Sequence, residues 1–150
     1  MLSKVMKKMG KEEKGFTLIE LLAVIVILAI IAVIAVPLIG NILSKSRDNA
    51  DLNTASQIYN AARMYVIGEK NGDFKTASTI TLKDLKPSTG KNGYIDSDLY
   101  LPSTKLALNE TSTKVEFNTD GSLKEVVLKG GDAAEITFTA TEVLSAVKKK

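Results

Sequence analysis

The chain has 150 residues and contains neither cysteine nor histidine. Without cysteine, no disulfide framework and no thiolate metal centre can form. Without histidine, the commonest general base and the commonest metal ligand are both missing. There is no glycine-rich loop of the kind that cradles phosphate. No catalytic constellation emerges, so no catalytic residue is assigned, no cofactor is expected and the chain does not read as an enzyme. Surplus charge is also scarce beyond the N-terminus. Residues 1–15 hold five lysines against two glutamates, which accounts for the whole net charge of +3. The remaining residues hold 15 basic and 15 acidic side chains, so no nucleic-acid partner is implied.

What the sequence does contain is a long apolar run behind that basic segment. From Leu21 to Leu43 only Pro37, Gly40 and Asn41 interrupt it. A helix over residues 16–43 would span about 42 Å at 1.5 Å per residue, against a hydrocarbon core of about 30 Å. Lysines beside such a run hold that end in the cytoplasm. No small-residue cleavage site closes the run, because Ala35-Val36-Pro37 is followed by Leu38-Ile39-Gly40. A plain signal anchor would satisfy these features. Glu20, near the start of the run, departs from that pattern. A carboxylate deep in a bilayer costs about 2.5–3.5 kcal/mol on insertion scales and usually marks function. A cation would offset it, and a cut after Gly15 would supply one as the new α-amino group of Phe16.

The segment Lys14-Gly15-Phe16-Thr17-Leu18-Ile19-Glu20-Leu21-Leu22 closely resembles the class III signal of type IV pilins and pseudopilins. The resemblance implies a leader, residues 1–15, cut between Gly15 and Phe16 by a membrane-embedded prepilin peptidase. It implies N-methylation of Phe16 and a subunit-docking role for Glu20. Pro37 removes the N–H that the Val33 carbonyl would accept, which predicts a helix kink. The family carries a proline near this place. Where many relatives have a glycine within the run, this chain has the helix-favouring Ala29. The resemblance is strong from Lys14 to about Leu43 and extends further only in general plan.

The expected organisation is a leader (1–15), a transmembrane and filament-core helix (16–43) and a globular head (44–150). The head has about 107 residues, enough for one modest core. Leu52, Ala55, Tyr59, Ala62 and Val66 recur at three- and four-residue steps, with Ile58 and Tyr65 beside them. Tyr59 and Tyr65 read as core or rim packing. Arg47, Asp48, Asp51, Asn60 and Arg63 read as polar surface. The spacing predicts one helix from Phe16 to about Lys70, stopped by Asn71-Gly72.

Thr81 to Lys86 predicts a short helix capped by Thr81 and ended before Pro87. Ser88-Thr89-Gly90 and Asn92-Gly93 are turn signals, and residues 105–108 are a candidate first strand. Strands follow over 114–118, 123–129 and 134–139, with turns at Asp120-Gly121 and Gly130-Gly131-Asp132. Thr141 to Val147 fits a closing helix or a last strand, before the basic tail Lys148–Lys150. The fold class is α+β, a long N-terminal helix packed on a C-terminal antiparallel sheet. The absence of cysteine resembles the cysteine-poor pilins of Gram-positive bacteria and leaves the closing segment to packing alone.

Two further motifs are weaker. Asp96 and Asp98 flank Ser97 and could offer oxygens to calcium, as occurs in the heads of some major pseudopilins. Two nearby aspartates are more often turn residues. Asn109-Glu110-Thr111 matches a glycosylation sequon. The functional expectation is a structural subunit of a type IV pilus, stored in the membrane and polymerised into an extracellular filament of identical copies. Its partners would be prepilin peptidase, the assembly platform and its ATPase. The alternatives are a pseudopilin of a secretion or competence system, or a membrane-anchored binding module that does not polymerise.

Overall fold

The computed structural model describes residues 17–89, 93–95 and 98–146. The expected leader, Gly15, Phe16, Gly90, Asn92, Asp96 and the tail Lys148–Lys150 lie outside these residues. Helix α1 spans Leu18–Glu69, 52 residues. Its first backbone bond runs from the Leu21 N–H to the Thr17 carbonyl, 3.1 Å. The helical assignment continues without a break through Ala29 and Pro37. It ends at the expected signal: Asn71 and Gly72 both take left-handed φ, 51° and 76°, and the Gly72 N–H donates to the Val66 carbonyl.

The chain divides into two compact units, the first ending at Ile42 and the second beginning at Leu43. In the first unit the helix keeps its large apolar side chains exposed from Leu18 onward, at 46–87% through Leu43 just beyond it. Leucine, isoleucine, valine and alanine occupy every side of it, so it has no polar face to turn towards water. The helix is long and apolar enough to cross a membrane.

In the second unit the rest of α1 packs against a four-stranded antiparallel sheet of order β1-β2-β3-β4. The strands are β1 Thr79–Thr81, β2 Lys114–Phe117, β3 Leu123–Leu128 and β4 Ile136–Thr139. A short helix α2, Leu82–Leu85, follows β1, and helix α3, Ala140–Ser145, closes the fold. The register sets Ile80, Val115, Val126 and Phe138 opposite one another in a single row across all four strands. All four are buried, in one core with Leu52, Ala55, Ile58, Ala62 and Val66 of α1. Alternation along each strand thus points one face at the helix stripe. Tyr59 and Tyr65 are half-buried against this core. The Tyr59 ring lies 6.1 Å from Phe117, and Tyr65 meets Tyr94 edge-on at 5.6 Å.

Two details differ from the sequence reading. The first strand is Thr79–Thr81, not residues 105–108. Lys105 takes a left-handed φ of 60°, so the chain doubles back after Pro102. The Leu101 N–H then donates to the Leu106 carbonyl and the Leu108 N–H to the Leu99 carbonyl, both at 2.8 Å. Residues 107 and 108 make only isolated bridges, to Tyr100 and Gly130. Second, Asp51 is not surface but core, 2% exposed, and its Oδ1 accepts the Ser103 N–H at 2.9 Å. The sheet also carries a register shift between Glu116 and Phe117, so that Phe117 pairs with Leu123 and both are buried.

The short helix at Thr81 forms as read, with the Asp84 carboxylate accepting from the Thr81 N–H and hydroxyl. Of the two forms open to the closing segment, the structure takes the helix. Thr139 caps it: its hydroxyl oxygen accepts from the Glu142 N–H at 3.5 Å, and its own N–H and hydroxyl donate to Glu142 Oε2 at 2.9 Å each. The Ser56 hydroxyl of α1 donates to the Val143 carbonyl at 3.4 Å.

Candidate functional site

The site is the start of α1. Thr17 precedes the first helical residue and Glu20 stands in the first turn. Glu20 Oε2 accepts from the Thr17 N–H at 2.8 Å and from the Thr17 hydroxyl at 2.9 Å. The Glu20 N–H donates back to Thr17 Oγ1 at 3.3 Å. This is a reciprocal capping box, in which two orphan groups of the helix end satisfy each other. The negative charge also sits where the helix dipole favours it.

Glu20 therefore has a partner within its own chain. The Thr-Leu-Ile-Glu spacing is the sequence signature of such a box, and it is compatible with a cation that also reaches Glu20. Among the described residues Glu20 Oε1 accepts no hydrogen bond. Behind it lies the all-round apolar surface of residues 18–42. The arrangement places one anionic group at the end of a helix whose described residues are apolar on every side.

The other candidates belong to other stretches of the chain. Pro37 sits inside α1. Asp98 is ion-paired with Lys86, which also reaches Glu110 at 2.8 Å. These two carboxylates, Asp98 first, raise the Lys86 ammonium above its ordinary value. Among the described residues no group of three or more acidic side chains is placed to hold a metal ion. Asn109 of the sequon closes a turn, its Oδ1 accepting from the Thr111 N–H and hydroxyl and from the Ser112 N–H at 2.9–3.1 Å.

Residues 10–36 match the family described as prokaryotic N-terminal methylation motif, a stretch that takes in Gly15, Phe16 and Glu20. No curated protein and no solved structure matches the chain. The matched motif, with the apolar helix that follows it, supports a type IV pilin-like protein carrying a class III signal peptide.

Proposed function

We propose that the chain is a structural subunit of a type IV pilus. Prepilin peptidase cuts between Gly15 and Phe16 on the cytoplasmic side and the Phe16 amine is methylated. The subunit waits in the membrane on its apolar helix, with the head outside the cell. An assembly platform driven by an ATPase then moves it into a filament of identical copies. There the terminal amine of one copy meets Glu20 of its neighbour, and the apolar helices adhere around them.

The observation that carries this reading is the methylation motif over residues 10–36. It ends in a helix whose large apolar side chains are all at least 46% exposed among the described residues of the first unit. Thr17 and Glu20 fit the proposed docking. The capping box shields the carboxylate while the subunit is alone and leaves Oε1 available to an incoming ammonium group.

The test is N-terminal sequencing of the mature chain together with the Glu20→Ala variant. The expected result is a terminus at methylated Phe16. Glu20→Ala should remain in the membrane fraction while sheared surface filaments fall at least tenfold. A terminus at Met1, or filaments at normal yield from Glu20→Ala, would overturn the reading. Electron microscopy of the sheared fraction separates a surface pilus from the short fibre of a pseudopilin.

A further inference from the structure

Asn109-Glu110-Thr111 is the one Asn-x-Ser or Asn-x-Thr triplet in the chain. The proposed subunit role gives it no part. It forms a turn in the second unit, ahead of β2, with Glu110 and Thr111 exposed and Asn109 half-buried. Three backbone bonds pin the turn. The Asn109 N–H donates to the Lys129 carbonyl at 2.8 Å, the Lys83 N–H to the Glu110 backbone carbonyl at 3.0 Å, and the Thr113 N–H to the Asn109 backbone carbonyl at 3.0 Å.

The two ends of the Asn109 carboxamide are used differently. Oδ1 accepts from the Thr111 hydroxyl at 2.9 Å, the Ser112 N–H at 3.0 Å and the Thr111 N–H at 3.1 Å. These donors fix that atom as the oxygen. Nδ2 has no partner among the described residues. There Ser103 Oγ is the only buried side-chain polar atom without a partner, so Asn109 Nδ2 is open to solvent. Asn118 contrasts with it, its Nδ2 donating to Ser122 Oγ at 2.9 Å. An amide nitrogen is a weak nucleophile because its lone pair is delocalised into the carbonyl. It gains strength as it loses a proton and negative charge builds on the oxygen. Donors already aimed at that oxygen stabilise the charge. The Thr111 hydroxyl is one of them, which gives the third residue of the triplet a physical task.

We propose that Asn109 is a glycosylation site, with Nδ2 as the acceptor atom and a sugar carried on a lipid diphosphate as the donor. Nδ2 forms a bond to C1 of the sugar while the bond from C1 to the diphosphate oxygen breaks. The diphosphate leaves with the electron pair, and the Nδ2 proton passes to a base of the transferase. Thr111 is the positioning residue. The turn is ordered before the donor arrives, so presenting the acceptor costs little further ordering. The proposal rests on the reading that places the head outside the cell, and it adds a covalent modification to that head.

The experiment recovers the full mature chain from the cells that make it, from membranes and from the sheared fraction. Trypsin cuts after Lys105 and Lys114 and releases residues 106–114 as one peptide. That peptide should carry the mass of a sugar, and an amide-cleaving glycosidase in heavy-oxygen water should convert Asn109 to labelled aspartate. Asn109→Gln should carry no sugar. Thr111→Val keeps the backbone N–H and the side-chain shape but removes the hydroxyl, and should lower occupancy roughly tenfold or more, whereas Thr111→Ser should restore most of it. A bare Asn109 in the parent chain overturns the proposal, whether or not any variant folds. So does a sugar that persists in Asn109→Gln, which would sit on a hydroxyl instead, or equal occupancy in Thr111→Val and the parent. An amine reagent that cannot cross the membrane, added to intact cells, reports whether exposed Lys83 of the head is outside. A labelled Lys83 with a bare Asn109 defeats this proposal alone. An unlabelled Lys83 defeats the placement of the head, and this proposal falls with it.

Discussion

Asp51 and Glu116 show what single carboxylates do in this chain. Asp51 occupies a helix position that a polar pattern assigns to the surface, yet the chain around Ser103 folds over it. Asp51→Ala would leave the Ser103 N–H without its acceptor. The expected loss is about 1–3 kcal/mol, read as a lower urea midpoint, with Asp51→Asn losing less. Glu116 accepts from Lys114 and Lys124, each at 2.7 Å. These bonds, Lys114 first, hold its carboxyl below the ordinary value. A lowered carboxyl contributes stability above its unfolded pKa and loses it as acid protonates the folded state. Glu116→Gln should therefore be less stable than the parent at neutral pH. Thermal melts of the two should converge as pH falls below the carboxylate range. At the same scale, the Thr17–Glu20 box was legible as Thr-x-x-Glu.

The elements followed their local signals where those signals were strong. The stop at Asn71-Gly72, the cap at Thr81 and the alternation of Val115 and Phe117 each rest on neighbours in sequence. The turn at Gly121 is a case that can be tested. Its φ is +84°, and a Cβ there would stand 3.1 Å from the Phe74 ring. Gly121→Ala should cost about 1–3 kcal/mol from backbone strain, before any shift of the ring. A thermal melt of the variant checks it. The elements that the sequence hid were β1 and the doubled-back segment 99–108. Three residues, Thr79–Thr81, carry too little pattern to declare a strand. Pairing with Glu116, Val115 and Lys114 makes them one.

At the scale of the whole molecule, the buried residues among those described, from Asp51 and Leu52 onward, all belong to the second unit. The second unit, which begins at Leu43, thus holds the complete core by itself. A chain starting at residue 44 should leave the membrane fraction and still melt cooperatively in solution. A truncated head that aggregates or melts without a transition would contradict this. The sequence alone determined the apolar helix, its basic flank, the methylation motif and the alternating strands. Those features are periodicities and short spacings, set by the geometry of a helix turn or a pleat. Tertiary structure decided that Asp51 is buried, that β1 exists, that the register shifts before Phe117 and that the closing segment is a helix. Each depends on which distant residue supplies a hydrogen bond or covers a side chain, and local pattern does not encode that choice.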